Sequence, residues 1–134
     1  MPKFSILTPT YNSKEHLAET IDSVISQKGD FEIEYIIVDG GSVDGTQDVV
    51  ESYLQGLKEK EILINCRNVE IIFISQKDDG MYDAINRGFK LASGDYYAWI
   101  NSDDIYLPGA LHTVSTVFDE YADVKWLKGI TSYI

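Results

Sequence analysis

Residues 33–57, IEYIIVDGGSVDGTQDVVESYLQGL, pass from a strand through a glycine loop into a helix. The run 33–39 is almost continuously apolar and β-branched, and it is too short for a helix. That is the signature of a strand buried on both faces of a parallel sheet. GGSVDGT, 40–46, is a turn signal, and Asp44 or Thr46 can cap a following helix that carries Val49, Val50, Tyr53, Leu54 and Leu57.

The same unit recurs on either side. KFSILT, 3–8, reads as a first strand that Pro9 closes by removing a ladder donor. Asn12, with Glu15 three residues later, forms a capping box for a helix carrying Leu17, Ile21, Val24 and Ile25 as far as Gly29. Beyond an irregular segment, VEIIFIS at 69–75 predicts a third strand. Gly80 then precedes a helix with Met81, Ile85, Phe89 and Ala92 on one face, stopped by Gly94. DYYAWI, 95–100, predicts a fourth strand. Pro108 starts a helix containing Leu111, Val114, Val117 and Phe118, and residues 124–130 predict a fifth strand. Repeated crossovers imply an open, mostly parallel α/β sheet with helices on both faces. Ligands of such sheets sit at the carboxyl ends of the strands, near a topological switch point.

Composition narrows the ligand. The 134 residues suit one domain or a piece of one. The net charge of −11 divides into −6 over residues 1–67 and −5 over 68–134, so no acidic tail or basic arm exists. This acidity argues against a nucleic-acid or anionic-membrane surface, because phosphate backbones need clustered Lys and Arg. An anionic ligand therefore needs local help from a metal ion or backbone N–H groups. No apolar stretch approaches the roughly 20 residues of a membrane span, and the expected location is cytoplasmic. Cys66, the one cysteine, reads as structural.

Polar residues collect where each strand ends: TPTYN after the first, DGGSVDG after the second, QKDDG after the third, NSDD after the fourth. Asp103 and Asp104 offer carboxylates to a hard divalent cation, which takes oxygen ligands and shares itself with substrate phosphates. The competing reading is a helix cap or solvated turn. Asp39 reads either as part of a turn or as an acceptor for a nucleobase edge, and Asp78, Asp79 and Asp83 equally suit a helix N-terminus. Tyr11 and Tyr82 offer rings for stacking. Neither GxxxxGK nor GxGxxG is present, which weighs against ATPase and dehydrogenase chemistry.

TPTYN, IIVDGGSVDGT, QKDDGMYDAINRG and AWINSDD, in this order at these strand ends, resemble the nucleotide-sugar-binding half of the family 2 glycosyltransferases. The resemblance implies a GT-A fold and a donor site for a nucleotide-diphosphate sugar. It carries over nucleoside contacts to Pro9, Tyr11, Asn12 and Asp39. Asp78, Gly80, Asp83 and Asn86 fall near the donor phosphate and sugar. Asn101, Ser102 and Asp103 occupy the family's DxD position, which assigns Asp103, with Asp104 beside it, to Mn²⁺ or Mg²⁺. Asn101 replaces the first Asp of that pattern, and Gln76 stands where many relatives carry Glu.

The implied reaction is metal-dependent, inverting sugar transfer to a hydroxyl of a glycan or lipid-linked acceptor, in surface polysaccharide or glycan synthesis. The whole of 1–134 then corresponds to the N-terminal donor-binding part. The catalytic base and acceptor segment are expected beyond Ile134, and attachment to the inner membrane face in a longer protein stays open. Two alternatives remain at this point: a non-catalytic nucleotide-binding module, and a receiver-like Mg²⁺-binding regulatory domain. The second needs an acidic pair after the first strand, where this chain has TPTYN.

Overall fold

The computed structural model describes residues 2–127. Four strands, β1 (Lys3–Thr10), β2 (Glu32–Asp39), β3 (Asn68–Ser75) and β4 (Tyr96–Trp99), alternate with four helices, α1 (Leu17–Ile25), α2 (Thr46–Lys58), α3 (Met81–Phe89) and α4 (Ala110–Glu120). All strand pairs are parallel, in the order β3-β2-β1-β4. The two-residue period of β2 sends Ile33, Tyr35 and Ile37 to one face and Ile36 and Val38 to the other. The first set packs with Leu17 and Ile21 of α1, Val50 of α2 and Leu111 of α4; the second packs with Leu7, Ala84 and Ile85, the last two from α3. Two cores on one sheet explain why β2 is apolar throughout. Each fully buried side chain contributes about 1.5–3 kcal/mol.

The sheet's order reverses between β1 and β4, and this is the switch point. β1 pairs with β2 along its whole length but with β4 only over Phe4–Leu7.

Three expectations need correction. Pro9 does not close β1: it lies inside the strand, opposite Val38. The Leu7 carbonyl accepts from Ile100 N, and the Thr10 carbonyl accepts from Gly40 N. Odd-numbered residues of β1 therefore face β4, so the donor Pro9 lacks points past the end of β4 and breaks no bond of the β1–β2 ladder.

The capping box is not made either. α1 begins at Leu17 behind His16, with no side-chain cap, and Asn12 sits in a left-handed turn at φ 48°, engaged elsewhere. Finally, residues 124–127 form no strand. They pair with nothing among the described residues, Trp126 is exposed, and the rest of that predicted strand lies outside them.

Candidate functional site: a cleft at the β1–β4 switch point

The loops that follow all four strands converge on a cleft of about 810 Å³, well inside the range of small-molecule sites. Residues 9–13 line it from β1, Gly40 and Gly41 from β2, Lys77, Asp78 and Gly80 from β3, and residues 101–103 from β4.

Hydrogen bonds between loops fix this wall. The Asn12 N–H donates to Ser42 Oγ at 2.7 Å, and Asn12 Oδ1 accepts the Val43 N–H at 2.9 Å. The Ser13 N–H donates to Thr46 Oγ1 at 3.0 Å, and the hydroxyls of Ser13 and Ser102 share a bond of 2.7 Å. The β1 loop is thereby tied to both the β2 and β4 loops. Asp44 closes the turn into α2, accepting the Thr46 N–H at 3.0 Å, the Thr46 hydroxyl, and the Lys14 N–H at 3.1 Å. The Thr46 hydroxyl, aided by these N–H groups and opposed by slight desolvation, holds the Asp44 carboxyl below the usual carboxylate range.

Asp39 is fully buried, and its carboxylate accepts from its own loop and its neighbours. Its oxygens accept the N–H groups of Gly41 at 3.1 Å and Ser42 at 2.9 Å, the Ser75 hydroxyl at 2.8 Å, Gln47 Nε2 at 3.2 Å, and the Ser42 hydroxyl. It underlies the glycine loop and is not among the lining residues. Asp83 also faces away, accepting Arg87 Nη2 at 2.9 Å and the Asp79 N–H at 3.1 Å. Asn86 and Asp104 are exposed and outside the cleft wall, as is Tyr82. The structure thus brings together Pro9, Tyr11, Asn12, Asp78, Gly80, Asn101, Ser102 and Asp103, and it leaves Asp39, Asp83, Asn86 and Asp104 outside.

Among the other wall residues, Thr10, Ser13 and Lys77 were not singled out from the sequence. Thr10 and Ser13 flank Tyr11 and Asn12, and Lys77 is the only Lys or Arg lining the cleft among the described residues, inside an otherwise acidic QKDDG. Two polar atoms here have no hydrogen-bond partner although they are buried: Thr10 Oγ1 and Asn101 Oδ1. Orphaned oxygens of this kind normally mark a place that a ligand, ion or water completes.

The donor set suits a hard divalent cation in one way only. No group of three or more His, Cys, Asp or Glu converges among the described residues, so an all-protein cage is not available. Asp103, exposed on the wall, and the free Asn101 Oδ1 fit an ion held mainly by a bound diphosphate and water.

A parallel α/β sheet with a ligand-sized cleft at its switch point, walled by these motifs, defines a nucleotide-sugar transferase fold. Residues 5–128 match the model of glycosyl transferase family 2, and the chain belongs to that family. It is 35% identical over 122 residues to a "PGL/p-HBAD biosynthesis glycosyltransferase" of Mycobacterium bovis, covering 90% of this chain and 43% of that protein. An uncharacterized glycosyltransferase of Rickettsia typhi is 31% identical over 82% of this chain and 30% of its own length. The chain spans less than half the length of these curated relatives.

Among solved structures, S. aureus TarS 1-349 in complex with UDP-GlcNAc superposes with a TM-score of 0.70 at 27% identity, covering 90% of this chain and 32% of that one. The mannosyltransferase PcManGT from Pyrobaculum calidifontis, in complex with GDP-Man and Mn²⁺, shares the fold at a TM-score of 0.70 and 20% identity, over 87% of this chain and 32% of that one. Family membership replaces the receiver-like reading. No helix among the described residues is long and apolar enough to cross a membrane.

Proposed function

We propose that the cleft holds the nucleoside diphosphate sugar donor of a glycosyltransferase that passes the sugar to a hydroxyl of a glycan or lipid-linked acceptor, with inversion. Residues 1–134 are its donor-binding part, and the setting is surface polysaccharide or glycan synthesis in the cytoplasm, at the inner membrane face for a lipid-linked acceptor. The observation that carries this reading is the convergence of all four strand-end loops on one cleft whose wall holds two orphaned buried oxygens.

In the transfer, the acceptor oxygen forms a bond to the anomeric carbon as the bond from that carbon to the diphosphate breaks. The acceptor proton goes to a base, and the electron pair leaves with the diphosphate. Tyr11, 62% exposed on the rim, offers its ring to the base of the donor. Asn12 acts indirectly by locking the loop that carries Tyr11 against the β2 turn. Asp103, with Asn101 Oδ1, is the proposed ligand pair for Mn²⁺ or Mg²⁺; a bound ion would supply charge neutralisation for the leaving diphosphate. Asp104 is not included, because its carboxylate lies outside the wall.

Thermal-shift titration with UDP, GDP and dTDP, each with Mn²⁺ and with EDTA, tests the proposal. At one hundred times Kd a native-state ligand stabilises by about 2.7 kcal/mol, on the order of 10 °C here. One nucleotide is expected to give a metal-dependent shift that Asp103→Ala removes. Absence of a shift with every nucleotide would overturn the reading.

A further inference from the structure

Glu34 is buried on β2, two residues before Ile36 and on the face that Ile36 and Val38 pack against α3. A carboxylate in that place is costly to desolvate, so the groups that compensate it carry information. Oε1 accepts the Ser93 N–H and the Ser5 hydroxyl, each at 2.8 Å. Oε2 accepts the Ser93 hydroxyl at 2.7 Å and pairs with Lys3 Nζ at 3.3 Å. Ser5 Oγ in turn accepts the Gly94 N–H at 2.8 Å. Ser93 and Gly94 belong to the turn between α3 and β4. Gly94 lies so close to β1 that a Cβ on it would stand 2.6 Å from Ser5 Oγ and 2.7 Å from the Lys3 carbonyl oxygen. Its backbone is not in the left-handed region, so space and not conformation requires the glycine. The Lys3 backbone closes the turn, its carbonyl accepting the Asp95 N–H at 2.7 Å and its N–H donating to Asp95 Oδ2 at 2.9 Å.

We propose that Glu34 is a positioning residue for the metal end of the cleft: it fixes the register of β4 on β1, and with it the place where Asn101 and Asp103 stand. This inference rests on the donor-site reading. Among the described residues β4 pairs only with β1, and only over Tyr96–Trp99. A slip of one residue would turn the strand's faces over. A slip of two would put Trp99 where Tyr97 stood, an aromatic for an aromatic on the same face, so the strand's own side chains oppose it weakly. That slip would carry the following loop, with Asp103, about 6–7 Å along the sheet. At the loop itself the bond between the Ser13 and Ser102 hydroxyls can be exchanged for bonds to water. The Glu34 contacts cannot, because a shifted turn would withdraw the donors from a buried carboxylate. Glu34 sits at the amino end of the strands, opposite the cleft, and acts on Asp103 through β4 alone.

The test is calorimetric binding of UDP, GDP and dTDP to the whole chain, each with Mn²⁺ and with EDTA, together with amide hydrogen exchange of the unliganded chain. Two variants disturb the turn from opposite sides: Glu34→Ala removes the carboxylate, and Gly94→Ala keeps it but pushes the turn off β1. For the nucleotide that the wild type binds, each is expected to lose at least about tenfold in affinity with Mn²⁺, the worth of one charged contact, and to stay within about threefold with EDTA. In both, the Ile100 N–H, bonded to the Leu7 carbonyl in the native register, should exchange at least about tenfold faster relative to the Gln76 N–H, bonded to the Asp39 carbonyl. Glu34→Gln, whose amide oxygen still serves the Ser93 N–H and the Ser5 hydroxyl, should bind with Mn²⁺ within about threefold of wild type despite its lower stability. Val69→Ala, a truncation in the core on the other face of the sheet, measures destabilisation alone. Should Glu34→Ala and Gly94→Ala fail to fold, Ser5→Ala, which removes only the hydroxyl between Glu34 and Gly94, is expected to show the same loss. If the folded variants of the turn keep the wild-type affinity with Mn²⁺, or if Val69→Ala loses as much, the assignment of Glu34 fails while the donor site stands. If no nucleotide binds the wild type, the donor-site reading fails and takes this inference with it.

Discussion

Removing the Asp39 carboxylate separates a loop-ordering role from a ligand contact. Asp39→Ala strips the acceptor from five donors of the cradle. Three of these find alternatives: the hydroxyls of Ser42 and Ser75 rotate, and Gln47 Nε2 already donates to the Ser42 carbonyl at 2.7 Å. The N–H groups of Gly41 and Ser42 do not, and each unsatisfied donor costs about 1–3 kcal/mol. The expected loss is about 2–5 kcal/mol, a fall in Tm on the order of 10–20 °C, read by urea and thermal unfolding.

Asp39→Asn should be far milder. Both N–H groups share Oδ2, so the amide oxygen can serve them while its NH₂ turns to the Ser42 hydroxyl, at about 1 kcal/mol. Its affinity for whichever nucleoside diphosphate the wild type binds should stay within about threefold, less than 1 kcal/mol. A loss of less than about 1 kcal/mol in Asp39→Ala would refute the cradle. A tenfold weaker nucleotide affinity in Asp39→Asn at unchanged Tm would show that the carboxylate touches the ligand.

Two further outcomes follow from the packing. Glu34 is buried, which pushes its carboxyl up, but the N–H and hydroxyl of Ser93, the Ser5 hydroxyl and Lys3 outweigh this and hold it below the ordinary glutamate range. Its contribution is therefore complete above the unfolded pKa and disappears as pH falls through the folded one. Glu34→Gln should cost about 1–3 kcal/mol at neutral pH, with the gap to wild type closing below about pH 4; a pH-independent gap would show that the charge is not involved. Gly88, buried on α3, would drive a Cβ into Leu7 and to 3.0 Å from Val38 Cγ2. Gly88→Ala should lower stability by about 1–3 kcal/mol despite the better helix former, and an unchanged or raised Tm would contradict that contact.

The sheet was legible because burial on two faces writes itself into composition: β2 and β3 fall within a residue of their expected starts, 32 against 33 and 68 against 69. The convergence of strand-end loops followed from topology. What local pattern did not reveal was which polar residue faces the ligand. Asn12 and Glu15 spell a capping box, but Asn12 Oδ1 accepts the Val43 N–H and the Asn12 N–H donates to Ser42 Oγ, contacts across about 30 residues that no window along the chain displays. Asp39 and Asp78 look equally available in sequence. Their surroundings diverge: one is met by five donors and the other by a glycine and open cleft. Pro9 misled for a related reason, since only pairing parity tells whether a missing N–H faces a partner.

The charge of the cleft constrains how the proposed donor could bind. Among the described residues Lys77 is its only Lys or Arg, against the carboxylates of Glu15, Asp78 and Asp103. Phosphates entering such a wall unaided meet net repulsion, which grows as water is displaced and the local dielectric falls. A wall rich in Lys and Arg would bind any polyphosphate and discriminate poorly between them. Here, in the proposed arrangement, binding of the diphosphate is conditional on a cation at Asp103. Asn101, standing where the family pattern carries Asp, moderates this by keeping an acceptor oxygen while removing one more charge from the phosphate end.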